Sequence, residues 1–383
     1  MFFIAAIWKF PGSRLPSPGM MRTDQDPMKA KVAILLPTRN RAEMLRRTLE
    51  SIQNQSYRDF VLRVSDNGSK DETREMEAAD FKGISLIWKR RDPELKTLCD
   101  HYNLLFAEVE EEFFVVAHDD EVYSPDWLEV LVEGMEKPGP AETVLSYGNA
   151  LFVDYCGDAP RYYRSKQRFS EGGYDQQALI EGVVRQNLDF TGNGFCVRSR
   201  AARKVGSMNI GYGQYDLEWL MRLAGQGMTR VAGKELNTYS IHGSNTVFSE
   251  AHLRHTAESR HACLMRCEWL DSLPPEAQTW RVEMKNQLMR DYAGGDFRTW
   301  LTALVIRAPQ VAGLLRDRIA GNPMAPAWAR FCSHWGTSRP FFGAASGLAG
   351  ILYRWRRKRL LSARPEWVEV SRAEARSIFP TLP

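Results

Sequence analysis

Between residues 31 and 136, short apolar runs alternate with stretches of helical spacing. Val32-Ala33-Ile34-Leu35-Leu36 is a continuous apolar run ended by Pro37, which suits a strand buried on both faces. Leu45, Leu49 and Ile52 then recur at helical spacing and predict a helix over Ala42–Gln53. A second strand is expected at Phe60–Ser65, running into the turn-forming cluster Asp66-Asn67-Gly68-Ser69. A helix over about Asp71–Ala79 and a third strand at Ile84–Trp88 follow. A helix over 97–109 leads to a fourth strand, Phe113–Ala117, which ends at His118-Asp119-Asp120-Glu121, and Pro125-Asp126 opens a helix through about Met135. This alternation implies a parallel α/β sheet with covered faces. Such sheets gather ligands at the carboxyl ends of their strands. The polar clusters at 37–41, 66–69 and 118–121 all stand there, so they should converge on one crevice.

From 140 to 190 the pattern loosens, and Tyr155–Tyr174, rich in Gly, Arg and Tyr, reads as irregular structure. Tyr215–Gly225 reads as a helix and Thr238–Ile241 as a short strand before His242. Beyond about 250 the spacing is helical throughout, with breaks at Pro274-Pro275, Gly294-Gly295, Pro309 and Gly321-Asn322-Pro323. Residues 1–29 carry Pro11, Pro16, Pro18 and Pro27 without periodicity and are expected to be a disordered leader. The expected division is therefore leader 1–29, α/β domain 30–250 and helical C-terminal extension 251–383.

Composition changes this picture little. The chain has 383 residues, 44% hydrophobic and 26% charged, as in ordinary soluble domains. A net charge of +4 argues against a nucleic-acid partner, although basic residues concentrate at Arg354–Arg359. Six cysteines lack a disulfide rhythm and suit a reducing cytoplasm. No run approaches the ~20 apolar residues that span a bilayer. Met1–Trp8 is apolar but lacks the basic flank and cleavage site of a signal peptide. The apolar stretch 340–353 before the basic run has two readings. It is an ordinary packed helix with a solvated basic end, which is favoured, or a segment lying in a membrane interface. A cytoplasmic location is expected, with a peripheral place at the inner face of the membrane as the second reading.

The chemistry begins with an absence: neither Gly-x-Gly-x-x-Gly nor a Walker-type loop follows the first strand, which argues against dinucleotide and P-loop enzymes. Adjacent carboxylates at Asp119 and Asp120 repel each other unless a cation neutralises them. Oxygen ligands suit Mg²⁺ or Mn²⁺ bridging to phosphates, while an acidic turn capping the next helix is the plain alternative. Asp66 is placed to meet a base or ribose or to serve a turn, with Ser69 and Glu72 forming a capping box. Asp216 stands at a helix start, as a dipole partner or as a general base. His242 is structural or a metal ligand. His252, His255, His261, Cys263 and Cys267 form no clear tetrahedral set, so zinc is not expected.

Taken in order, these clusters resemble family 2 inverting glycosyltransferases of the GT-A fold. The resemblance runs through Leu36-Pro37-Thr38-Arg39-Asn40, Asp66-Asn67-Gly68-Ser69, Asp100-His101-Tyr102-Asn103, His118-Asp119-Asp120, Tyr215-Asp216-Leu217-Glu218-Trp219 and His242. It implies a Rossmann-like mixed sheet flanked by helices, and a nucleotide-sugar donor linked to UDP, GDP or dTDP. By the same resemblance Pro37, Thr38, Arg39 and Asp66 meet the nucleoside, Asn103 borders the donor, and Asp119 meets its ribose or sugar. Asp120 and His242 hold Mn²⁺ or Mg²⁺, and Asp216 is the base. Gly192 and Asn193 would border the acceptor, a glycan or lipid-linked hydroxyl. Two positions depart from the family pattern: His118 opens the acidic motif and Tyr215 precedes Asp216. The absence of membrane spans favours transfer of a single sugar over processive synthesis. The rival readings are a sugar-nucleotide pyrophosphorylase, whose Gly-rich loop is missing, and an inactive nucleotide- or glycan-binding relative.

Overall fold

The computed structural model describes residues 30–76, 81–186, 188–190, 194–211, 215–242, 254, 257, 278–305, 307–338, 341–350 and 367–383. Four parallel strands, β1 (Val32–Thr38), β2 (Phe60–Asp66), β3 (Ser85–Arg90) and β4 (Phe113–Val116), lie in the order β3-β2-β1-β4. Every residue of β1 is buried, because strands flank both its edges and helices cover both its faces. Alternate side chains enter two cores. Val32, Ile34 and Leu36 pack with Leu45 and Leu49 of α1 (Ala42–Gln53). Ala33 and Leu35 share the opposite core with Tyr102 and Leu105 of α2 (Leu98–Ala107). Next in the chain, α3 (Trp127–Glu136) buries Trp127, Leu128 and Leu131 on the α1 side.

Residues 140–190 are more regular than their pattern suggested. They hold β5 (Thr143–Asp154), β6 (Arg161–Ser165), β7 (Gly172–Tyr174) and α4 (Gln176–Arg185). All of β5 is buried, yet Ser146, Asn149 and Asp154 interrupt its apolar run and hide it from a hydrophobicity reading. β8 (Cys196–Arg198) lies antiparallel between β4 and β5 and joins the two halves of the sheet. After α5 (Ser199–Val205) and α6 (Tyr215–Ala224), β9 (Met228–Ile241) pairs parallel with β5. The short strand expected at 238–241 is only the end of β9.

Three further expectations are corrected. The segment after β2 forms only a 3-10 turn, Glu72–Glu75, within its described part. Asp71 caps it by accepting from the Thr73 N–H at 3.0 Å, while the Ser69 hydroxyl accepts from the Asn40 N–H at 2.8 Å. Gly294-Gly295 does not break the helix Gln278–Val305, whereas Pro309 starts the next helix and Gly321 ends it. Finally, the region beyond 250 is not helical to its end. β10 (Trp367–Val370) pairs antiparallel with β6, and Phe379 and Leu382 pack on Leu151, Val153 and Tyr162. Residues 1–29, Pro274-Pro275, Arg354–Arg359, and His252, His255, His261, Cys263 and Cys267 lie outside the described residues. Among the described residues no helix is long and apolar enough to cross a membrane.

Phe379 is fully buried where the terminal segment meets β5 and β6. Phe379→Ala is expected to destabilise the protein by about 3 kcal/mol, since the cavity cannot refill from a sheet face. Urea unfolding would measure this, and a loss under about 1 kcal/mol would mean the segment is only loosely attached.

Candidate functional site

The site is assembled from loops that zip together at the ends of β1, β2 and β4. Asn40 adopts a φ of 53°, a region that asparagine tolerates better than most residues. In that conformation its N–H reaches Ser69 Oγ, and its Oδ1 accepts from the Lys70 N–H at 2.7 Å. Gly68 has φ +69°, and a Cβ there would stand 2.4 Å from Glu94 Cγ, so this turn needs glycine twice over. The Asn67 amide donates to the Leu95 carbonyl at 3.1 Å and accepts from its N–H at 2.7 Å. It thereby fixes the loop that walls the cleft.

Two carboxylates face this cleft. Asp119 Oδ2 accepts from the Thr38 hydroxyl at 2.8 Å. The Arg41 guanidinium reaches Asp119 Oδ1 at 3.1 Å and also pairs with Asp120 Oδ2. His242 Nε2 lies 3.1 Å from the same Asp120 oxygen. Thr238 holds β9 against the loop after β4, donating its N–H to the Val122 carbonyl at 2.9 Å and accepting the Val122 N–H at 2.8 Å. That stitching is what carries His242 to Asp120.

Burial pushes the Asp119 carboxyl up to about 6 against the pull of Arg41. Burial also opposes ionisation of Asp120, but the His242 hydrogen bond and Arg41 outweigh it and hold that carboxyl down at about 2. Burial lowers His118, whose Nε2 lies 3.0 Å from the Tyr102 hydroxyl. His101 is held down to about 4 by burial and then by Arg91, with its Nε2 2.7 Å from Ser65 Oγ.

A cavity of about 480 Å³ opens here, and Pro37, Thr38, Arg39, Asp119, Asp120 and Tyr215 are among its lining residues. Asp216 sits in the first turn of α6, next to Tyr215. That helix is anchored by Trp219, which donates to the Gly206 carbonyl at 2.8 Å, and by Arg222, which donates to the Val205 carbonyl at 2.7 Å. Asp120 and Asp216 both lie near enough to His118 for their charges to act on it, and Tyr215, beside Asp216, lines the cavity.

Other expected residues are placed differently. The Asp66 carboxylate is buried and accepts from the Ser69 N–H at 3.0 Å, while its neighbour Asn67 lines the cavity. The Asn103 amide bonds the backbone of Met208 in both directions, at 3.0 and 2.8 Å, and so ties α2 to the loop before α6. Gly192 and Asn193 lie outside the described residues. Arg41, His101 and Tyr102 were not singled out from the sequence. For Arg41 the signal was available, since two adjacent buried acids require a nearby cation.

Ligand atoms of His118, Asp120 and Glu121 lie within 4.8 Å of one another, with His242 beside Asp120. Mixed imidazole and carboxylate donors fit a divalent ion such as Mn²⁺ or Mg²⁺. An ion on Asp120 would share that carboxylate with Arg41.

A mixed sheet carrying an acidic pair after its fourth strand, with the cleft at the strand ends, is the GT-A architecture. Residues 33–208 match Glycosyl transferase family 2. The fold is shared with S. aureus TarS at a TM-score of 0.51 and 13% identity, over 84% of this chain and 55% of that one. The mannosyltransferase PcManGT from Pyrobaculum calidifontis, solved with GDP-Man and Mn²⁺, aligns with a TM-score of 0.47 and 13% identity, over 85% of this chain and 87% of that one. An uncharacterized protein of Sinorhizobium fredii, y4gI, is 34% identical over 118 residues, which is 28% of this chain and 12% of y4gI.

Asp119 yields a test of the electrostatics. Its folded-state value of about 6 exceeds the ordinary 3.8, so its ionisation opposes folding above about pH 6 and has no such effect below 3.8. Asp119→Asn is therefore expected to stabilise the metal-free protein by about 1–2 kcal/mol at pH 8. The gain should fade as pH falls from 6 to below 4, and a pH-independent gain in urea midpoint would contradict this.

Proposed function

We propose that this chain moves a single sugar from a nucleotide-diphosphate donor to an acceptor hydroxyl with inversion, in building a cell-surface polysaccharide or glycolipid. The observation that supports it best is the cavity lined by Asp119, Asp120 and Tyr215, the residue before Asp216, within a chain whose residues 33–208 match Glycosyl transferase family 2. Pro37, Thr38 and Arg39 would take the nucleoside, with Asp66 at the floor beside His101. Asp119 would hold the ribose or the sugar. Asp120, with His118, Glu121 and His242, would hold Mn²⁺ or Mg²⁺, which when bound supplies positive charge against the leaving diphosphate. Asp216 would take the acceptor proton as its oxygen attacks the anomeric carbon from the opposite face. Asn103 would serve the donor side by pinning the loop before α6. Gly192 and Asn193 are proposed for the acceptor side, a glycan or a lipid-linked hydroxyl.

One observation favours a second reading, a nucleotide- or glycan-binding protein without turnover. Arg41 already pairs with both acids and offsets one of their two negative charges before any ion enters. Calorimetric titration with UDP and with GDP, each with and without Mn²⁺, tests the nucleotide site. Metal-dependent binding of either supports the transferase, and binding of neither overturns it. Asp216→Asn should keep nucleotide affinity and lose about 10²–10⁴-fold in transfer, the usual worth of a general base. Full turnover in that variant would remove Asp216 from the role.

A further inference from the structure

The C-terminal helices bury one face and leave another aromatic. In the helix Ala327–Thr337, Ala329, Ser333 and Gly336 are buried, with Gly336 close against Trp300. Trp328, Phe331 and Trp335 point the other way and are 58%, 63% and 48% exposed. Phe341 and Leu348, on the next helical stretch, are 46% and 59% exposed. The ridge is continuous: Phe331 and Trp335 have ring centroids 6.0 Å apart, and Trp335 meets Phe341 edge-on at 5.2 Å. Single exposed hydrophobics are ordinary, but a contiguous ridge of Trp and Phe marks a surface that is covered in use.

The charge carried by this part of the sequence says what covers the ridge. From Arg318 to Pro365 the sequence carries nine lysines and arginines and no acidic residue, although the whole chain is only +4. The remainder of the chain is therefore net acidic, and positive charge is segregated into the stretch that also holds the aromatic ridge. A second copy of the chain would bring the same basic stretch to the interface. A stretch of sequence rich in Trp and Phe and then in Arg and Lys matches the two layers of an anionic bilayer surface, acyl boundary and phosphate. We infer that the ridge of Trp328, Phe331, Trp335, Phe341 and Leu348 docks the protein on an anionic lipid bilayer. The inference stands on this surface alone and does not depend on the transferase reading.

Cosedimentation of the full chain with vesicles tests it. Binding to vesicles containing phosphatidylglycerol is expected at about 0.15 M salt, with little binding to pure phosphatidylcholine, and 1 M salt should weaken it strongly. The triple variant Trp328→Ser, Phe331→Ser, Trp335→Ser alters only exposed positions and should keep the wild-type melting temperature. It should lose about tenfold or more in vesicle partitioning, given the apolar area removed. Failure of the wild type to bind anionic vesicles overturns the inference, as does equal binding by a folded triple variant. A concentration-dependent dimer abolished by the same substitutions, without vesicle binding, would assign the ridge to a second copy instead.

Discussion

The cleft depends on one buried electrostatic arrangement, the Arg41 guanidinium set against the carboxylates of Asp119 and Asp120. Two neighbouring acids at the mouth of a strand repel each other, and burial raises the cost of ionising either. Arg41, arriving from the turn after β1, converts that repulsion into attraction and ties the loop after β1 to the loop after β4. In a buried charge network of this kind the desolvation of each member is set against its pairing with the others. Thr38, from β1, completes it at the second Asp119 oxygen, and His242, after β9, at the Asp120 oxygen that Arg41 also meets. Asp119 and Asp120 are thus driven apart in acidity while lying side by side, which separates their chemical uses.

Around this core of charge, the sheet supplies rigidity and the loops supply function. The parallel strands bring three turns to one edge, and the antiparallel β8 couples them to the longer β5 and β9. The contacts of Asn103, Trp219 and Arg222 are mostly to backbone of residues 205–208. They position α6, and Asp216 with it, without meeting the cleft themselves.

How much of this was legible in the sequence follows from where each residue finds its partner. Most strands and helices between 31 and 136 are apolar runs or amphipathic turns, so their pattern is local and readable, the helix expected at 71–79 being the exception. β5 was not readable, because its polar residues make sense only beside distant ones. Asn149 donates to the Phe169 carbonyl at 3.0 Å, and buried Asp154 pairs with Arg161 at 3.1 Å. Glu235 conceals β9 in the same way, since Arg164 and Arg168 neutralise it from elsewhere in the fold. At the site, the acids were visible from their adjacency, and their resemblance to a family ordered them. Arg41, His101 and Tyr102 gained meaning only once the loops were in space, and Asn103 proved to be spent on backbone.

The antiparallel pairing of β10 with β6 has a consequence for how the chain is made. Tyr162 and Pro383, joined by a hydrogen bond, are 221 residues apart in sequence. On the ribosome, β6 emerges well before β10, and its outer edge has no neighbour from this sheet until β10 follows. A naked strand edge is a template for unwanted pairing. The nascent protein therefore passes through a long interval in which its sheet is open on one side.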